Sequence, residues 1–559
     1  MNMYDIRIIS SLEKILPNNK ILDLPILHSL KLFKGQTASF QIAYRYTGNF
    51  YSNQTLIQGS RNPELKIVLG GSASNFANVR KVDVVPVTSA CIGRFDDNYI
   101  SHEAGLFPDV LTEFDGWLQF IPGQWRALWV EISVPETISL SDYSLNIDFF
   151  DKNNDIQAHS NLSLHIIPIC LPPQTLIHTE WFHSDCLADY YKVPVFSEKH
   201  WTLIENFLKL AVKRSCNMIY TPLFTPALDT LIGKERTTTQ LVDVYVSKNG
   251  YTFGFDKLVR WIELCKNLGF QYFEMCHLFT QWGAKYAPKI MAQEKDNQYQ
   301  LFGWDTLADS QEYKGFLDAF LPKLTAKLED LGVSKRTYFH ISDEPTLQNE
   351  VSYKKAKDMI TPYLQGYPIL DALSHIELYT NGTVNLPVPA NDSIQAFLDE
   401  KIEHPWVYYC CDQGKDVANR FIAMPSYRNR ILGVQLYKYN IEGFLHWGYN
   451  FYNSQYSIKH INPFLVNDGI DTFPAGDTFI VYPGDNGQPC ESLRLMVLAD
   501  AVNDMRSLQL LESLSSREFV LSLIDNGLDF EITFGSYPHS SNYILNLFEL
   551  VYSEIEKRL

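Results

Sequence analysis

The sequence predicts three domains in series: an N-terminal β-sandwich (residues 1–172), a central (β/α)8 TIM-like barrel (173–489) and a C-terminal helical cap (490–559). Three observations predict it. Alternating apolar and polar residues in short runs fill the chain up to Leu171; a strand-then-helix rhythm follows Pro172 and Pro173; and two long amphipathic helices close the sequence.

The first region offers SLKLFKGQTASFQIAYRY, LKIVLGG, RKVDVVPVT, WRALWVEISV, YSLNIDFFD and LSLHIIPI. Each carries β-branched and aromatic residues at strand spacing between turn signals, as a sandwich requires. LPPQTLIH then reads as a linker, because consecutive prolines cannot continue a sheet ladder.

Beyond it, TLIHTEWFHSD precedes SEKHWTLIENFLKLAVKRS, and NMIYTPLFTP precedes FDKLVRWIELCKNLG. FQYFEMCHLFT is followed, after an insertion, by EYKGFLDAFLPKLTAKLEDLG, and RTYFHISDEP by EVSYKKAKDMITPYL. Later strand candidates are HIELYTNG, PWVYYCCD, ILGVQLYKYN with GFLHWGYN, and TFIVYPG. About eight such units in some 300 residues favour a closed parallel barrel over an open sheet. In the last region Leu493, Met496, Val497, Ala501, Met505 and Leu508 form one apolar stripe, and HSSNYILNLFELVYSEIEKRL makes a second helix.

At 559 residues and 46% hydrophobic content the chain exceeds a single core. A formal charge of -17 excludes nucleic acid and anionic membrane surfaces as partners, since both would be repelled, and leaves a neutral ligand open. The first twenty residues lack a basic stretch followed by an apolar run and a cleavage site, which points to the cytoplasm; removal of an export signal would leave the same trace. Nine cysteines without CxxC spacing, including the neighbours Cys410 and Cys411, read as free thiols. No GxGxxG, GxxxxGK[ST] or HExxH occurs, and His178 with His183 makes no close HxH pair, so the expectation is no metal and no cofactor.

In RTYFHISDEPTLQNE the carboxylates Asp343 and Glu344 stand side by side where a strand over 338–341 ends. Catalytic groups of a parallel barrel sit at that end of the strands. Pro345 disfavours α geometry at Glu344 and so keeps the pair at the rim. From composition and spacing alone the pair reads equally as the acidic first turn of a helix starting near Leu347. A second such pair, Asp399 with Glu400, lies inside a helix-like run and reads as solvated. His340 reads as a satisfied core histidine.

FHISDEP, WVYYCCDQ, RNRILGVQLYKYNIEGFLHWGYNFY and DTFIVYPGDNGQPCESLRLMVLADAVNDM, in this order, resemble the landmarks of a large bacterial group of glycosidase-like proteins that includes glycoside hydrolase family 123, the β-N-acetylgalactosaminidases. The resemblance covers roughly residues 175–511, and NDMRSLQLL departs from the group's acidic, tyrosine-containing late run. It implies that Glu344 is the general acid and base. Asp343 would polarise the N–H of a substrate 2-acetamido group, whose carbonyl oxygen attacks the anomeric carbon. Two acids then belong beside each other instead of facing across the bond. Enzymes that trim large host glycans are exported as a rule, so a cytoplasmic member implies imported small saccharides as substrates.

Aromatic, amide and imidazole residues at other expected strand ends suit a sugar's C–H faces and hydroxyl rim. They are Trp181 and His183, His277 and Trp282, Tyr379 and Asn381, Tyr409 and Asp412, then Gln435, Tyr437, Trp447 and Asn450. These types also fill cores, so position must decide; Trp447 and Asn450 stand out because WGYN matches a landmark. Two other functions stay open here. One is a two-carboxylate glycosidase on a non-acetamido sugar, pairing Glu344 with Glu180, Glu274 or Glu377 across the pocket. The other is a non-catalytic carbohydrate-binding barrel.

Overall fold

The computed structural model describes residues 3–18, 21–48, 64–121 and 123–559; the opening stretch read for an export signal falls partly outside them, at 1–2 and 19–20. Two five-stranded sheets form the N-terminal region. One runs in the order Tyr4–Ser10, Thr37–Tyr46, Arg126–Ser133, Ala77–Val87, Gly105–Glu113, and the other Ser29–Lys34, Ile156–Cys170, Asp142–Phe150, Glu64–Gly70, Trp117–Gln119. Phe40, Ile42, Leu128 and Val130 of the first sheet meet Leu32, Leu145, Ile147 and Leu164 of the second in one buried cluster, which holds the sheets face to face.

The first sheet is not solvated on its other side. Ile9, Ala43, Val82, Leu111 and Trp129 point there and pack on Leu493 and Met496 of the helix Leu493–Leu514. Charges reinforce this joint: Arg214 reaches Glu131 and Glu491, each at 2.5 Å, and Arg494 bonds Asp109 at 2.9 Å while donating to the carbonyls of Gly476 and Phe479. Such buried pairs fix geometry more than they add stability.

In the central region the strands Ile177–Glu180, Met218–Thr221, Tyr272–Met275 and Thr337–Tyr338 pair in parallel in that order. A parallel bridge, Phe339 to Ile369, leads to Leu370–Leu373, which pairs with Leu386–Pro389; a second bridge, Ala390 to Tyr408, leads to Trp406–Tyr408. That strand pairs with Gly443–His446, which pairs in turn with Ile177–Glu180. The parallel pairings thus return to their starting strand. Helices Glu198–Lys213, Asp256–Leu268, Gln311–Asp330 and Glu350–Ile360 follow the first four strands in the expected order. Two excursions, Asp243–Ser247 with Gly250–Gly254 and Ile290–Glu294 with Asn297–Phe302, form a separate four-stranded sheet that the sequence reading passed over.

Two strand expectations are corrected. HIELYTNG contains the short helix Glu377–Thr380, and the strand lies upstream at Leu370–Leu373, where a buried Asp371 broke the apolar run. ILGVQLYKYN is the helix Leu432–Lys438, every residue of which is buried. A helix enclosed on all sides loses its 3.6-residue stripe and reads as an apolar strand. Gly433 makes the enclosure possible, because a Cβ there would overlap the carbonyl of Ala501. Helices Leu493–Leu514, Arg517–Ile524 and Ser541–Glu556 complete the chain. The first is a central strut wedged between the sandwich and the ring, not a surface cap.

Candidate active site

The strand Thr337–Tyr338 delivers the chain to a loop whose course is pinned at each step. Ser342 Oγ donates to the Thr280 carbonyl (2.9 Å), the Trp282 N–H donates to the Asp343 carbonyl (3.2 Å), and the Thr346 N–H is held by Asn349 Oδ1 (2.8 Å). Glu344 adopts φ +44°. Pro345 does keep it out of the right-handed helix, but the backbone is left-handed instead of extended, a strained state that persists only when surroundings impose it. The next helix begins at Glu350. The acidic pair therefore lies outside its first turn, and the helix-dipole reading is set aside. Asp399 ends the exposed side of the helix Ile394–Asp399, with Glu400 beside it in solvent, as the sequence suggested.

Asp343 and Glu344 line a cavity of about 620 Å³ together with Trp181, Asp229, Gln281, Trp282, Tyr408, Cys410, Cys411, Trp447 and Phe473. Burial raises the titration of both acids, and the charge of Glu344 raises Asp343 further. Like charges this close cannot both ionise freely, so the pair holds a proton above the usual carboxylate range. Tyr408 donates to Glu344 Oε1 at 2.6 Å and opposes the rise, while Asp412 adds to it.

Beneath Asp343 lies a buried charge relay. His340 Nε2 meets Glu274 Oε1 at 2.5 Å and Nδ1 meets Asp371 Oδ1 at 3.2 Å; together they outweigh desolvation and lift His340 to about 10, so it is an imidazolium. Trp181 Nε1 and Thr179 Oγ1 also donate to Glu274, and Tyr353 donates to Asp371. The positive charge of His340 favours the Asp343 anion. His277 stacks on His340 with centroids 4.3 Å apart, accepts from or donates to Tyr220 through Nδ1, and is held neutral by burial. His277, His340 and Asp371 come within metal-ligand spacing of one another, yet both His340 nitrogens are committed to carboxylates, so the set fits an ion-pair network and not a cation.

Of the other residues singled out, Trp181 and Trp447 reach the cavity wall, as does Trp282. Trp447 Nε1 donates to Asp477 (3.0 Å), which burial lifts to about 7. His183 and Asn450 stand behind that wall. Asn450 accepts from the His183 N–H (2.8 Å) and donates to its carbonyl (3.1 Å), spending both polar atoms on backbone. Desolvation and Arg236 drop His183 to about 3; its Nδ1 accepts from Arg236, so Nε2–H donates to the Trp447 carbonyl (2.9 Å). These two residues and His277 brace the wall instead of lining it.

Gln435, Tyr437 and Tyr379 do not line the cavity. Gln435 donates to the Thr533 carbonyl (2.9 Å) and Tyr437 to Glu512 (2.6 Å), because their segment is an outer helix and not a strand. Tyr379 sits on the helix Glu377–Thr380 against Phe397, and Asn381 donates to Glu350. The proposed second acids are also elsewhere. Glu180 is paired with Arg420 (2.6 Å) and His178 (3.2 Å), Glu274 belongs to the relay, and Glu377 is exposed. Sequence reading missed Tyr408 by one position, choosing Tyr409; a one-residue step along a strand reverses the face. It also missed Asp229, whose turn sequence carries no distinguishing signal; burial lifts this acid to about 6, and its Oδ2 accepts from the Tyr456 N–H (2.9 Å).

An acid pair with raised titration in a tryptophan-walled cavity at the ends of parallel strands is an arrangement that suits a glycoside hydrolase. The model of the glycoside hydrolase 123 catalytic domain matches residues 181–511, and the chain belongs to that family. Among solved structures, a family 123 glycoside hydrolase from Clostridium perfringens, analysed for glycolipid glycan hydrolysis, superposes with a TM-score of 0.73. It is 16% identical, over 99% of this chain and 97% of that one, and shows the same overall fold. A family 5 mannosidase from Rhizomucor miehei aligns at a TM-score of 0.34 and 10% identity, over 59% of this chain and 93% of its own, too low to bear on the fold. Curated protein sequences give no match. Among the described residues, no helix is long and apolar enough to cross a membrane.

Proposed function

We propose that this glycoside hydrolase is a retaining β-N-acetylhexosaminidase with N-acetylgalactosaminide preference, working by substrate assistance on a (β/α)8 barrel. The eight parallel pairings that return to their first strand support the barrel. Residues 1–172, 173–489 and 490–559 serve as sandwich, barrel and helical segment, with Pro172 and Pro173 at the first junction.

The observation that carries the mechanism is that Asp343 and Glu344, neighbours in the chain, both line the cavity, while Glu180 and Glu274 are consumed in buried ion pairs. With the facing nucleophile drawn from the substrate, both acids act from one side. Glu344, neutral through burial and accepting from Tyr408 on Oε1, carries its proton on the other oxygen and gives it to the glycosidic oxygen. Burial and the charge of Glu344 raise Asp343 and His340 below it opposes them; with the pair's proton on Glu344 that repulsion is gone, and Asp343 as the anion takes the acetamido N–H and increases the nucleophilicity of the carbonyl oxygen. That oxygen closes on the anomeric carbon to an oxazolinium ion, and Glu344, now the base, activates the water that opens it. Trp181 and Trp447 supply apolar faces for the pyranose.

The second reading is favoured by one specific observation: Asp229 is a third acid on the cavity wall. In a two-carboxylate mechanism it would be the partner of Glu344. A panel of 4-nitrophenyl β-glycosides with and without the 2-acetamido group separates the two. The proposal expects cleavage of the N-acetylgalactosaminide and little of the plain galactoside; equal rates on both would refute substrate assistance.

A further inference from the structure

Cys410 and Cys411 are the only adjacent cysteines among the nine, and both are partly exposed to the active-site cavity beside Glu344. Neighbours in the chain and both lining this cavity, the two thiols are close enough to influence each other's protonation. The loop that presents them is held in place: Gln413 Oε1 accepts from the Cys410 N–H (3.0 Å) and lies 3.3 Å from its Sγ, and Asn419 donates to the Cys410 carbonyl (2.9 Å). Nothing in the glycosidase mechanism uses either thiol. Two thiols held together in a cavity form a chelating donor set for soft, thiophilic centres, which carboxylates and imidazoles do not capture well.

We propose that Cys410 and Cys411 form a dithiol site that captures trivalent arsenicals, and that an occupied site closes the cavity against substrate. With an organoarsenic(III) oxide, two S–H bonds break and two S–As bonds form. The arsenic oxygen leaves as water with the two thiol protons. Arsenic stays trivalent and neither sulfur is oxidised, so no further reagent is needed. Because the second S–As bond forms within the same molecule, the pair gains over any single thiol of this chain the advantage of high effective concentration.

The test titrates the full-length protein with phenylarsine oxide and reads both intact mass and glycosidase rate. The expected result is one phenylarsenic adduct per chain, mapped by digestion to the peptide holding Cys410 and Cys411. Loss of activity should run in proportion, reversed by 2,3-dimercaptopropanol and not by an equal concentration of a monothiol. In Cys410→Ser and Cys411→Ser, each compared with its own untreated rate, the inhibitory concentration should rise by about 100-fold or more. Alanine at either position replaces a serine variant that fails to fold. Unchanged sensitivity in both single variants, or an adduct mapped to another cysteine, overturns the site. An adduct on this pair with undiminished activity overturns the closure. The mass measurement needs no turnover, so it decides the site even if the proposed sugar specificity is wrong.

Discussion

The hydroxyl of Tyr408 stands 2.6 Å from Oε1 of Glu344 and donates to it, so a strand residue and a loop residue 64 positions apart set the proton affinity of the same carboxyl. This bond favours the charged form, while the nearby Asp412 disfavours it. Removing each influence should move the alkaline limb of the kcat/KM profile in opposite directions. Tyr408→Phe is expected to shift it to higher pH, and Asp412→Asn to lower pH. Shifts of the same sign in both variants would show that another group controls the limb.

Loss of the acid itself should be far larger than its retuning. Glu344→Gln is expected to lose about 10²- to 10⁴-fold in kcat, the usual scale for a general acid. Asp343→Asn should lose comparably on N-acetyl substrates, with near-UV circular dichroism unchanged for both. If Asp229→Asn instead reproduces the Glu344→Gln loss and Asp343→Asn does not, the two-carboxylate reading takes over.

His340 joins two acids under the site, and its replacement leaves Glu274 and Asp371 facing each other unneutralised. His340→Phe is expected to destabilise the protein by about 3–5 kcal/mol, measured by denaturant unfolding. The folded His340 titrates near 10, above its ordinary value. Its contribution is thus complete below about pH 6.5 and is lost as pH rises through about 10. Stability of the wild type should fall over that alkaline window more steeply than that of the variant.

Asn450→Ala takes from the His183 N–H its acceptor and from the His183 carbonyl a side-chain donor, in a dry environment. A loss of about 1–3 kcal/mol in stability is expected, detected as a lowered Tm. Because Asn450 props Trp447 without reaching the cavity, its effect should scale with unfolding; a raised KM at undiminished Tm would restore it to the sugar-contacting set.

Gly433→Ala places a methyl group against the Ala501 carbonyl, at the joint of the helices Leu432–Lys438 and Leu493–Leu514. Overpacking of that kind costs about 1–3 kcal/mol. The expected outcome is a lowered Tm with kcat preserved at temperatures where the variant is folded.

Local pattern determined much of this protein. The alternation in residues 29–46 and 126–167 specified sheets, the rhythm after Pro173 specified strands followed by helices, and Asp343-Glu344-Pro345 at a strand end announced the acid pair, because each of those signals is carried by neighbours in the chain. Tertiary structure alone decided the rest. Whether ILGVQLYKYN was strand or helix depended on the distant helix Leu493–Leu514, whose Ala501 carbonyl meets Gly433. Which tyrosine faced the acid was a matter of strand register, and Asn450 became a brace because His183, 267 residues away, takes both its polar atoms. The charge on His340 likewise required Glu274 and Asp371, contributed by two other strands. Burial and hydrogen-bond partners are properties of three-dimensional neighbours, and they select which of many suitable side chains act on a substrate and which hold up the wall.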